Sequence, residues 1–273
     1  MQEKQQRPRV RPRPNLRNVE VSRAERLTPH LIRITFAGPA MEGFVNAGPA
    51  GHVRLWFPQP GFDRPVMPEW GENGPVMADG LQSPSTRVYT PRRWDPVAAT
   101  LDVDFITHEG ADGPGTQWAK NAAPGSALVI SGPSGHYKID PDADSFVLAG
   151  DYTGVPAILT ILEALPADAS ARVFVQVPDE SDELPVVTDA KADMTWVHDG
   201  GDGAPLALAS AVKDAGLTSD AGLVYVACEA SVMREIRRHL LYDRGFNKSR
   251  IVTHGYWKYG TQNHPDHDFG DDV

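Results

Sequence analysis

Arginine, tyrosine and threonine are set close together in Arg87-Val88-Tyr89-Thr90. In an extended strand alternate side chains share a face, so Arg87 and Tyr89 are expected to point toward one ligand. A guanidinium pairs bidentately with a phosphate, and an aromatic ring lies flat against another ring. The Thr90 hydroxyl can meet a polar ring edge. Together these three suit a phosphorylated ligand that carries a flat heterocycle. Four residues alone also fit an ordinary strand with one exposed arginine, so neighbouring segments have to decide.

Two glycine-containing turns point the same way. In Gly113-Pro114-Gly115-Thr116 the glycines allow close backbone approach, and Thr116 suits a helix N-cap. A helix start there offers N–H groups and the positive end of a dipole to a pyrophosphate. Further on, Leu148-Ala149-Gly150-Asp151-Tyr152-Thr153-Gly154-Val155-Pro156 takes an apolar strand into a turn, with Pro156 in the first helical turn. That turn can hold a second pyrophosphate. After the strand ending at Cys228 comes Glu229, the better functional candidate of the two. Near the end of the chain, Gly255-Tyr256-Trp257-Lys258-Tyr259-Gly260 sets aromatics beside a cation, a composition suited to a lid over a flat ring.

The bulk numbers narrow the chemistry. With 36 acidic against 26 basic residues the formal net charge is −10, which disfavours nucleic acid and anionic membranes as partners. One cysteine can form neither an internal disulfide nor an ordinary iron–sulfur site, so redox chemistry has to come from a bound cofactor. No metal site is expected: the His264-Pro265-Asp266-His267 segment sits in an acidic tail, residues 261–273, that reads as disordered. Arginines at 7, 9, 11, 13 and 17 with no apolar run after them read as a flexible basic arm, residues 1–16. No stretch of about 18 apolar residues occurs, so membrane insertion is not expected and the cytoplasm is the expected compartment.

The elements that must position these residues fall into two groups. Over residues 17–140 short alternating strands, at 31–36, 52–57, 87–90, 101–108 and 127–131, are separated by Gly- and Pro-rich turns. They predict a small antiparallel β-barrel. Over residues 145–260 strands at 146–149, 172–177, 194–198 and 223–228 alternate with helices at 156–165 and 231–243, which predicts a parallel sheet flanked by helices. The acidic segment 179–183 follows the second of these strands, where a dinucleotide fold meets the adenosine ribose. A carboxylate there can accept from a 2′-OH and repels a 2′-phosphate; a solvated acidic loop is the equal alternative.

On these motifs the chain resembles the siderophore-interacting protein family of the ferredoxin–NADP reductase superfamily. Arg87-Val88-Tyr89-Thr90-Pro91-Arg92 is similar to the family's flavin fingerprint, and Asp104-Phe105-Ile106-Thr107-His108 with the 113–119 segment to its next motif. The 148–158 turn and Gly255-Tyr256-Trp257-Lys258 match two more. The fold class implied is an antiparallel β-barrel FAD domain followed by an α/β parallel-sheet NAD(P)H-binding domain.

The resemblance implies FAD as cofactor, held by Arg87, Tyr89, Thr90, Asp104, His108, Gly113 and Thr116. His108 reads equally as a structural histidine. It implies NAD(P)H binding by Gly150, Asp151, Thr153, Gly154, Pro156 and Glu229, with Trp257 as the lid. The acidic 179–183 segment favours NADH, NADPH being admitted. The substrate implied is a ferric siderophore, met by Arg54, Arg92 and Lys258, with ferredoxin admitted as an electron partner. Ser134 stands where the family has arginine. A general flavin or quinone reductase, and an iron-complex binding protein without catalysis, are the competing readings.

Overall fold

The computed structural model describes residues 15–71, 74–107, 113–200, 206–261, 264–265 and 268–271. Most of the expected basic arm, and His108, lie outside them. The N-terminal half holds strands β1 (Leu16–Thr28), β2 (Leu31–Ala37), β3 (His52–Trp56), a short hairpin of β4 (Glu69–Gly71) and β5 (Gly74–Val76), then β6 (Thr86–Tyr89), β7 (Pro91–Asp95), β8 (Thr100–Ile106) and β9 (Ala127–Ser134). Seven of them form one antiparallel sheet in the order β6-β3-β9-β1-β2-β8-β7.

The two edge strands of that order, β6 and β7, are separated in sequence by Thr90 alone. A chain can pass from one edge of a seven-stranded sheet to the other in one residue only if the sheet rolls round on itself. Thr90 is therefore the seam of the barrel. Alternation drives the rolling: Val53 and Leu55 of β3 and Ile34 and Phe36 of β2 are fully buried inside, while His52, Arg54 and Trp56 face outward. Helix α1 (Pro114–Asn121) closes the barrel, its Trp118 ring 5.8 Å from Phe57 and 5.9 Å from Phe105.

The C-terminal half is a five-stranded parallel sheet, ordered β12-β11-β10-β13-β14, from β10 (Ser145–Gly150), β11 (Ser170–Val177), β12 (Lys191–His198), β13 (Leu223–Glu229) and β14 (Ile251–Trp257). Alternate residues of β10 feed two cores. Phe146 and Leu148 pack with helix α2 (Val155–Ala164) and with Leu31 and Tyr137 of the barrel half. Val147 and Ala149 pack with α3 (Ala207–Asp214) and α4 (Ala230–Arg238) on the other face. The strand order reverses between β10 and β13, and ligands bind such sheets at the carboxyl ends of the strands beside that point.

The described tail residues are docked, contrary to the expected disorder. The Gly255 amide donates to the Asp268 carbonyl at 2.7 Å, Arg234 pairs with the Asp268 carboxylate at 2.8 and 2.9 Å, and the Thr253 hydroxyl donates to the Phe269 carbonyl at 2.6 Å. The charges that made the tail look solvated are the ones that anchor it. No helix among the described residues is long and apolar enough to cross a membrane, and no group of His, Cys, Asp and Glu among them is set to hold a metal ion.

Candidate active site at the barrel seam

The fingerprint strand and the first glycine turn meet at the barrel's edge. Tyr89 packs its ring 4.4 Å from that of Phe105, and a Cβ at Gly115 would collide with the Tyr89 hydroxyl, so glycine there lets α1 start against the tyrosine. Burial pushes the Tyr89 phenol well above its ordinary range. Arg87 is half-buried, one guanidinium nitrogen donating to the Thr86 carbonyl at 2.7 Å. Thr90, at the seam, shares a hydrogen bond with Tyr256 of β14.

On the other side of the seam lies the switch point of the parallel sheet. The Asp151 carboxylate accepts from the Thr153 amide and hydroxyl at 2.9 and 2.6 Å, from the Glu229 amide at 2.8 Å and from the Trp257 indole at 2.8 Å. It thus joins the ends of β10, β13 and β14. Burial pushes its carboxyl up, against those hydrogen bonds. Glycine is required nearby: a Cβ at Gly150 would lie 2.7 Å from the Ala227 carbonyl, and one at Gly154 would run into the same oxygen. The turn therefore presses against β13. Beyond it Tyr256 and Trp257 are 37% and 40% exposed, open faces beside the seam.

A shallow cavity of about 370 Å³ opens along the outer face of β3, lined by Asn15, His52, Arg54 and the Ser131–Ser134 end of β9. His52 and the Ser134 hydroxyl are hydrogen-bonded at 2.9 Å, and Arg54 donates to the Thr86 hydroxyl at 3.2 Å. His254 of β14 stacks among Tyr225, Tyr256 and Phe269, with ring centroids 5.2–6.1 Å apart. Burial, and secondarily the nearby His52, push its imidazole down to about 4. His52 and His254 are additions to the expected set, and no local spacing signals that they gather with Ser134, because the three come from separate strands.

Several expected roles change. Asp104 is buried and paired with Arg33 of the neighbouring strand β2 at 2.7 and 2.8 Å, so its carboxylate has a partner within the barrel sheet. Thr116 is the third residue of α1 and donates to the Ile106 carbonyl at 3.3 Å, so Gly113 holds the cap position. Glu229 caps α4, accepting from Ser231 and Val232 amides at 2.6 and 3.0 Å, which occupies the carboxylate. Arg92 is engaged by both oxygens of Glu163 of α2, a tie between the two halves and not an open cation. Lys258 stays exposed at the end of β14. In the acidic segment Asp179 caps its own turn, Asp182 is buried, and Glu183 bonds His198 at 2.8 Å. Their clustering thus has a structural cause.

The residues fit a flavin dinucleotide and a nicotinamide dinucleotide. Neither α1 nor α2 carries a side-chain cap of its own, whereas Glu229 fills that position on α4; this leaves the first-turn amides of α1 to a phosphate, while α2 continues a turn that Asp151 caps through the Thr153 amide. Tyr89 on one side and the open Trp257 on the other suit flat rings.

A rolled antiparallel barrel joined at its seam to the switch point of a parallel α/β sheet defines the two-domain fold of the ferredoxin reductase-like class. A fold match of TM-score 0.62 to a phthalate dioxygenase reductase, at 15% identity, agrees with that architecture. Residues 20–137 match the siderophore-interacting FAD-binding domain and residues 143–260 the siderophore-interacting protein domain; the chain belongs to the siderophore-interacting protein family. It is 30% identical to an NADPH-dependent ferric-chelate reductase of Escherichia coli, covering 91% of this chain and 95% of that one. It is 29% identical to the ferric vibriobactin reductase ViuB of Vibrio cholerae, covering 89% and 90%. The structure of a siderophore utilization protein from T. fusca superposes with a TM-score of 0.81 at 34% identity, covering 92% and 96%.

Proposed function

We propose that this chain is an FAD-containing, NAD(P)H-dependent reductase that frees iron from ferric siderophores in the cytoplasm. The observation that carries the reading is the convergence at the seam: Thr90, which follows Arg87 and Tyr89 on the barrel edge, meets Tyr256 of the C-terminal half, and the adjacent Trp257 is tied to the Asp151 turn. The relatives in E. coli and V. cholerae, named for ferric reduction, support it.

When bound, FAD supplies the conversion between a two-electron donor and a one-electron ferric acceptor. The chain's residues do the holding. Arg87 pairs with the flavin pyrophosphate, Tyr89 lies against the ring, and the uncapped start of α1 meets the phosphates. The Gly150–Gly154 turn and the start of α2 hold the nicotinamide dinucleotide, with Trp257 covering the ring. His108 is retained as a flavin contact. The ferric complex approaches along the β3 cavity, attracted by Arg54 and by Lys258. Reduction releases the metal because hard oxygen donors hold Fe(III) far more tightly than Fe(II).

NADH is the donor we carry forward, on the acidic Glu180 that remains exposed after the loop's other carboxylates are engaged. Anaerobic stopped-flow flavin spectroscopy with NADH, NADPH and several ferric siderophores tests the whole reading. Bleaching by a nicotinamide followed by reoxidation with a ferric siderophore is expected. Reoxidation by free flavin or quinone alone overturns the substrate. Purified Arg87→Ala and Tyr89→Ala are expected to lose flavin, and full occupancy in both overturns their role.

A further inference from the structure

Asp182 holds an enclosed carboxylate contact between the two halves and reaches the turn beside the seam through Tyr152, the neighbour of Asp151. Its side chain is 0% exposed. One oxygen accepts from the Thr28 hydroxyl at 2.6 Å, from the His30 amide at 3.1 Å and from the Tyr152 hydroxyl at 3.2 Å. The other meets His30 Nδ1 at 2.7 Å. Proton accounting fixes the directions: a carboxylate accepts only, so Thr28 donates its single proton to Asp182 and His30 carries a proton on Nδ1. Tyr152 has a single proton and directs it mainly to Thr28 Oγ1 at 2.6 Å, the threonine having none left for it, so the 3.2 Å contact with Asp182 is the weaker branch of that same proton.

Three segments meet there, and each leads to a ligand-binding end. Thr28 and His30 form the β1–β2 turn; the His30 carbonyl accepts from the Thr107 amide at 2.8 Å, at the end of β8 that leads toward α1. Tyr152 stands inside the Gly150–Gly154 turn. Asp182 itself lies in the loop after β11, which faces the adenosine end of a dinucleotide bound to such a sheet. A buried, fully bonded charge tolerates one arrangement of its donors, and any slippage leaves it unpaired in a dry site.

We infer that Asp182 is a positioning residue: it bolts both nucleotide-binding loops to the flavin barrel and so sets the separation between nicotinamide and flavin. The inference rests on the two-cofactor reading above. The ties from Thr160 to the Ala50 amide and from Glu163 to Arg92 hold α2 to the barrel, but neither touches these loops. Reaction between two held partners is steep in distance, a misplacement near 1 Å costing up to roughly a hundredfold.

The test uses the holoenzyme with spin labels at Val97→Cys and Val187→Cys, positions 95% and 72% exposed; the native Cys228 is buried and stays unlabelled. Pulsed electron resonance on the parent is expected to give one narrow interspin distance. Asp182→Ala is expected to broaden or shift it, keep its flavin, lose the long-wavelength nicotinamide–flavin charge-transfer absorbance, and slow flavin reduction at saturating NAD(P)H roughly tenfold or more. Asp182→Asn, which keeps one acceptor oxygen, is expected to fall between, and it carries the test if the alanine variant does not fold. An unchanged distance distribution overturns the inference, as does a broadened one with parental reduction rate and absorbance. If the parent itself is not reduced by either nucleotide, the proposed activity fails, and the distance distribution alone decides whether Asp182 fixes the domains.

Discussion

The Trp257 indole donates to the Asp151 carboxylate at 2.8 Å across 106 residues of sequence, so the end of β14 and the Gly150–Gly154 turn are one hydrogen-bonded unit. Asp151→Ala removes the acceptor for four donors at once. It is expected to cost about 2–4 kcal/mol, because the Glu229 and Thr153 amides lose their partner in a partly dry site. Trp257→Phe keeps the ring and loses one hydrogen bond, for about 1 kcal/mol. Urea unfolding measures both. A phenylalanine variant as unstable as the alanine one would show that the indole, and not the turn, carries the unit.

Gly154→Ala tests the close approach directly. The backbone there has φ −81°, which alanine adopts freely, so any cost comes from the Cβ pressing on the Ala227 carbonyl. Relief requires the turn to move away from β13, and overpacking of this kind costs about 1–3 kcal/mol. Nicotinamide-dependent flavin reduction is expected to weaken together with thermal stability. A variant that matches the parent in both would place the turn elsewhere.

The Arg87–Tyr89 strand and the Gly150–Gly154 turn were legible in sequence because each is local, through alternation in the one and glycines with Pro156 in the other, whereas their meeting at the seam was not. The two-domain order was legible for the same reason, through the change from strand–turn to strand–helix rhythm. β7 was not read as a strand because Pro91, Arg92 and Arg93 look like loop, yet an edge strand tolerates both proline and charge. α3 was missed as a short helix with no side-chain cap to announce it. Long-range partners leave no spacing to read. Arg92 and Glu163 are 71 residues apart and Asp182 and Thr28 are 154 apart, so both arginine and aspartate were taken for ligand groups when they hold the halves together.

Arg54 and Arg92 now part company. Arg92 is 13% exposed at its side chain and paired with Glu163, so Arg92→Gln and Glu163→Gln are expected to be coupled by about 1 kcal/mol in a double-mutant cycle. The KM for a ferric siderophore is expected to stay unchanged in both. Arg54 lines the β3 cavity, and Arg54→Ala is expected to raise the KM for an anionic ferric complex roughly three- to tenfold at low salt, with flavin reduction by NAD(P)H unchanged. Loss of flavin from the Arg54 variant would make that residue structural.

His254 gives the molecule an acid-sensitive element. Its imidazole is held down at about 4 from an ordinary 6.5, first by burial and then by His52. The folded state thus keeps the ring neutral where an unfolded chain protonates it. Below about pH 6.5 the unfolded state binds the extra proton, so stability is lost as pH falls from 6.5 toward 4 and is fully present above 6.5. By about pH 4.5 the loss from this one group is on the order of 2 kcal/mol. His254→Phe fits the neighbouring Tyr225 and Phe269 rings and has nothing to titrate. Its melting temperature is expected to fall less than the parent's between neutral pH and pH about 4.5, while the two proteins remain close at neutral pH. Parallel curves for parent and variant would show that His254 takes up its proton in the folded state, and that the aromatic cluster is wetter than its packing implies.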